Sequence, residues 1–169
     1  MSTVIFGIDP GSTECGWAMV DVSGARQTCA ISYLDKGTVD STEDAFVHLF
    51  DEELSIPPDI IAIESITPPG DEKAGFMFGA SGQFTVRHLL LTNKVTGELL
   101  VVARKRARIV EMTAGSVRKL TVGKHNAKDN VVKAGVDRYV RGLPRTTNVH
   151  TRDALLLCVA VAWKTTGER

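Results

Sequence analysis

With 169 residues, 43% of them hydrophobic and 24% charged, the chain has the size and composition of one ordinary globular domain, spanning 1–169, that buries a core without staples. No run approaches the roughly 18 apolar residues of a membrane span, and the N-terminus lacks the pattern of an export signal, which excludes a membrane role and predicts a cytoplasmic location. The formal net charge is zero, yet residues 1–100 carry five basic residues against fifteen acids while residues 101–152 carry thirteen against three. Such asymmetry predicts either a basic face that neutralises phosphates or merely a solvated helix face.

Taken in chain order, residues 3–9 (TVIFGID) read as a buried strand stopped by Pro10-Gly11. Residues 15–22 and 27–39 read as two more strands, joined at Ser23-Gly24, so an antiparallel meander is expected. Residues 42–54 place Ala45, Phe46, Leu49 and Phe50 on one helical face, with Ser41 or Thr42 as cap and Pro57-Pro58 as stop. A fourth strand follows at 59–64 (DIIAIE), then a mostly helical stretch over 75–105 and a fifth strand at 107–112. Helices are predicted over 114–120 and 127–141, and an apolar final helix over 151–164 with Thr151 as cap. The pattern is α/β with a five-stranded mixed sheet. Cys15, Cys29 and Cys158 are odd in number and embedded in apolar runs, which reads as reduced core thiols.

Four residues stand out because they fall where predicted elements begin or end. Asp9 closes the first strand and Glu64 the fourth, while His150 and Asp153 lie three apart at the start of the last helix, on one face. Each has a bland reading: a turn aspartate, a strand-end glutamate reaching solvent, a loop histidine, and an acid complementing a helix dipole. Together they predict a composite site on the carboxyl edge of the sheet. Three carboxylates with one imidazole are hard ligands, suited to Mg²⁺ or Mn²⁺ rather than Zn²⁺. Two such ions roughly 4 Å apart are the usual clamp for phosphodiester hydrolysis.

The segments IFGIDPGSTECGWAMVD, IAIES, RKLTVGKHNAKDNVV and HTRDALLLCVAVA, in this order, resemble the RuvC family of Holliday-junction resolvases from about residue 3 to residue 162. The resemblance implies an RNase H-like fold and a homodimeric, Mg²⁺-dependent endonuclease that nicks two strands symmetrically across a four-way DNA junction, in recombination and repair. By position, Asp9, Glu64 and Asp153 match the family's carboxylates, and His150 stands where members carry aspartate or histidine. His150 would either ligate a metal or activate the attacking water. Lys128 matches a lysine of the basic loop, Arg118 another DNA-contacting cation, and Lys119 and Lys124 would hold nearby phosphates. The helix that forms the family's dimer interface corresponds to a stretch containing Phe76, Phe78 and Phe84, although ordinary core packing fits that pattern equally. The aromatic residue that commonly follows the glutamate motif is replaced by Thr67. That departure leaves open a broader branched-DNA nuclease acting on flaps and forks. A non-catalytic junction-binding module and an actin-like ATPase are the remaining alternatives, the latter resting only on the loose phosphate-loop look of IDPGSTECG.

Overall fold

The computed structural model describes residues 2–24, 29–65, 86–144 and 148–166. Its strands are β1 (Ser2–Asp9), β2 (Glu14–Ser23), β3 (Ala30–Asp40), β4 (Ile60–Ser65), β5 (Arg108–Thr113) and β6 (Val140–Arg141). The helices are α1 (Glu43–His48), running into a π turn at Leu49–Glu53, then α2 (Val86–Ala103), α3 (Ala114–Val122), α4 (Asp129–Tyr139) and α5 (Val149–Thr166). The sheet order is β5-β4-β1-β2-β3-β6. The meander β1-β2-β3 is antiparallel as expected, and β4 and β5 join parallel to β1 on its other side.

The sheet has six strands rather than five. Val140 and Arg141, expected within a helix over 127–141, instead pair parallel with Ile31 and Ser32. Val132, Val136 and Val140 are all buried in the same cluster at a spacing of four, so the helical periodicity runs on after the backbone has become extended. Gly142, at φ +78°, then turns the chain away in a conformation open to glycine.

Both faces of the central strands are buried, which accounts for their nearly unbroken apolar runs. On β1, Ile5 points into the cluster beneath α3, α4 and α5, while Phe6 and Ile8 point into the one beneath α1 and α2. Helix α5 is buried without interruption from Ala154 to Ala162. It lies directly on β1: a Cβ added to Gly7 would sit 2.5 Å from the Ala154 carbonyl oxygen and 2.6 Å from Cys158 Sγ. None of the three cysteines forms a disulfide, and full burial pushes the Cys158 thiol up to about 12, where it is chemically inert. Of the expected helix over 75–105, Val86–Ala103 is helical and residues 75–85 lie outside the described residues. Among the described residues no helix is long and apolar enough to cross a membrane.

Candidate active site

Parallel pairing of β1 with β4, with Ile8 opposite Ile63, carries the next residue of each strand to the same edge. Those residues are Asp9 and Glu64. On the other side of β1, Asp9 pairs with Gly16 of β2. Gly16 makes room for the start of α5, since a Cβ there would lie 2.5 Å from both the backbone carbon and the Cβ of His150. The last helix starts at Val149 rather than Thr151, and its cap is Asn148: Thr151 N–H donates to Asn148 Oδ1 at 2.7 Å. Asparagine accepts well in this position because its short side chain reaches the free amides of the first turn.

The α5 start delivers His150 and Asp153 as the spacing predicts. His150 Nδ1 lies 3.0 Å from Asp9 Oδ2, so β1 and α5 are tied across 141 residues of sequence. The Asp9 side chain is 15% exposed and His150 is 55% exposed, which places the acid in the cleft floor and the imidazole at its mouth. Asp153 is equally enclosed at 15%, and Arg118 Nη2 of α3 donates to both its carboxylate oxygens at 3.5 Å. Arg118 Nη1 also donates to the Ala127 carbonyl at 3.4 Å, which draws the loop before Lys128 alongside the acids.

The electrostatics follow from this enclosure. Burial, reinforced by Asp9 and Asp153 and only partly relieved by Arg118, pushes the Glu64 carboxyl up to about 8. Burial also raises Asp9, against the stabilising hydrogen bond and charge of His150 and the charge of Arg118. Asp153 is raised by burial as well, with Arg118 opposing and Asp9 adding repulsion. Three carboxylates held together against their own repulsion form a site that gains from a concentrated positive charge. Among the described residues, no three His, Cys, Asp or Glu side chains already converge on one point as metal ligands would. One Asp9 oxygen faces His150, and both Asp153 oxygens face Arg118. The donor chemistry nevertheless fits a hard divalent cation, because oxygen ligands outnumber the single nitrogen.

No family model matches the chain. Curated relatives do: it is 26% identical over 173 residues to the crossover junction endodeoxyribonuclease RuvC of Parvibaculum lavamentivorans, covering 96% of this chain and 87% of that one. It is 25% identical to the protein of the same description from Renibacterium salmoninarum, covering 95% and 79%. The fold agrees. Thermus thermophilus RuvC in complex with a Holliday junction substrate superposes with a TM-score of 0.70 at 18% identity, covering 98% of this chain and 96% of that chain. The chain is thus similar to RuvC proteins over nearly its whole length, in sequence and in fold. A fowlpox virus Holliday junction resolvase shares the fold at a TM-score of 0.53 and 11% identity, covering 96% and 98% of the two chains.

On this frame the basic residues divide into two groups. Lys119, Lys124 and Lys128 are exposed, on α3, the following loop and the residue before α4. Arg118, expected at a phosphate, instead lies inside the acid cluster. Nothing in the sequence signals that pairing, because Arg118 and Asp153 are 35 residues apart on different helices. The expected dimer residues Phe76, Phe78 and Phe84, and Thr67 at the usual aromatic place, lie outside the described residues.

Proposed function

We propose that the chain is a divalent-metal-dependent endodeoxyribonuclease that resolves four-way DNA junctions by paired, symmetric phosphodiester hydrolysis. The observation that carries this reading is the placement of Asp9, Glu64 and Asp153, from three separate elements, at one edge of the sheet, near enough for Asp9 and Asp153 to raise the Glu64 carboxyl. Two Mg²⁺ ions per site, with Mn²⁺ as substitute, are the proposed cofactor. Held by Asp9, Glu64 and Asp153, they would lower the pKa of a water molecule and stabilise the leaving oxygen.

The remaining roles fall to groups of the chain itself. His150 donates through Nδ1–H to Asp9, which leaves the Nε2 lone pair on the exposed side of the ring. In that tautomer Nε2 is suited to take a proton from the attacking water. In-line attack then leaves 5′-phosphate and 3′-hydroxyl ends. Lys119, Lys124 and Lys128 supply positive charge for the phosphates flanking the cut. A homodimer would set two such sites against symmetry-related strands of a four-way junction.

The test is cleavage by the purified protein of a synthetic four-way junction, a flap and a linear duplex with Mg²⁺, alongside Asp9→Asn. Paired symmetric nicks confined to the junction, abolished in Asp9→Asn while junction binding persists, are the expected result. Equal cutting of flaps would make the enzyme a broader branched-DNA nuclease. Near wild-type cutting by Asp9→Asn would overturn the metal assignment, and tight junction binding with no cutting by either protein would leave a binding module.

A further inference from the structure

Arg118 lies within a site otherwise built from three acids and His150, and two features of its contacts suggest why. The first is how loosely it holds Asp153. The chain contains a closed arginine–carboxylate fork for comparison: Arg106 Nη2 contacts both oxygens of Asp51 at 2.7 Å, and Arg106 Nε adds a third bond at 2.9 Å. Arg118 reaches Asp153 with Nη2 at 3.5 Å to each oxygen, although this pair is the more enclosed, with side chains 25% and 15% exposed. An enclosed pair gains most from a tight contact, because little water competes for the charges. Its looseness therefore makes it separable. The second feature is a contact that does not involve the acids: Nη1 donates to the Ala127 carbonyl at 3.4 Å, which gives the guanidinium a partner other than Asp153.

The acids themselves face these partners. Asp153 presents its oxygens to Arg118 and Asp9 presents one to His150, and among the described residues no three acidic or imidazole groups are drawn to a common point. A divalent ion entering the cluster would repel the guanidinium and offer Asp153 a stronger partner. We propose that Arg118 is the resting counter-ion of the site: it neutralises Asp153 while no divalent ion is bound, and gives the carboxylate up when one binds. This rests on the reading that Asp9, Glu64 and Asp153 are the metal ligands. Arg118 is on this account a positioning residue that competes with the metal, and its guanidinium becomes free for a DNA phosphate only after exchange.

The experiment measures Mn²⁺ binding without DNA, by electron paramagnetic resonance of the free ion at pH 8, in wild type, Arg118→Gln, Arg118→Lys, Asp9→Asn and Asp153→Asn. Arg118→Gln should bind Mn²⁺ about tenfold more tightly than wild type, the scale on which one neighbouring charge moves a carboxylate equilibrium. Arg118→Lys, which keeps the charge, should stay near wild type. Equal or weaker binding by Arg118→Gln, or equal tightening in Arg118→Lys, overturns the proposal. Wild-type binding that is indifferent to Asp9→Asn and Asp153→Asn sinks the underlying metal assignment instead. Should Arg118→Gln fail to fold, nuclear magnetic resonance of the wild-type Arg118 guanidinium during a Mg²⁺ titration decides. Its protons should exchange with water several-fold faster once the ion is bound, and unchanged exchange refutes the displacement.

Discussion

Replacing Glu64 by glutamine is expected to stabilise the metal-free protein at alkaline pH and to leave it almost unchanged in acid. Glu64 ionises near 4.5 in an unfolded chain and at about 8 in the folded one, chiefly because it is buried and then because Asp9 and Asp153 face it. Below 4.5 both states hold the proton. Between 4.5 and about 8 the unfolded chain loses it while the folded one keeps it, so stability falls as pH rises and levels off above 8. At roughly 1.4 kcal/mol per pH unit the interval sets a ceiling of about 5 kcal/mol. Screening at the partly open cleft brings the expected loss to about 2–4 kcal/mol. Glutamine has the shape of the protonated acid and does not titrate, so the variant escapes this loss. At roughly 3 °C per kcal/mol for a domain of this size, the variant should melt about 6–12 °C above wild type at pH 9. The assay is thermal unfolding in EDTA from pH 4 to pH 9, repeated with excess Mg²⁺, where wild type should regain the advantage because the ion needs the ionised carboxylate. A wild-type-to-variant gap that is the same at pH 5 and pH 9 would refute the argument that Glu64 is held protonated in the cleft.

Three further outcomes test the scaffold and the basic face. Gly16→Ala should push the start of α5 off the sheet, because the new methyl would lie 2.5 Å from the His150 backbone. The expected loss is about 1–3 kcal/mol in denaturant unfolding, accompanied by a fall in cleavage larger than that loss alone explains. Asn148→Ala removes the side-chain acceptor for Thr151 N–H and should cost about 1 kcal/mol, with Asn148→Asp restoring it. Lys128→Ala should leave the chemical step intact and lower the slope of log binding constant against log salt by about one unit, measured on a four-way junction.

Much of the site was readable from the sequence for a physical reason. Asp9 and Glu64 follow runs too apolar to be anything but buried strands, and an acid at the end of such a run must emerge at a sheet edge. The spacing of His150 and Asp153, set before an unbroken apolar helix, similarly requires that both face one side. The parallel pairing of β1 with β4 is not legible in the sequence, since strand neighbours are chosen by long-range packing and not by local pattern. The start of α5 lies two residues before the expected one because Thr151 and Asn148 are both good caps, and the hydrogen bond between them shows which one is used. β6 was hidden because a valine every fourth residue satisfies a helix and a buried strand alike.

Residue types and their order along the chain thus determined which acids are available, which elements end at them, and the class of ion they suit. Tertiary structure alone decided that Gly16 lets α5 approach, that His150 engages Asp9, and that Arg118 reaches Asp153 from another helix. Each is a meeting of side chains far apart in sequence, and such distances are set by the packing of the whole core rather than by any local periodicity.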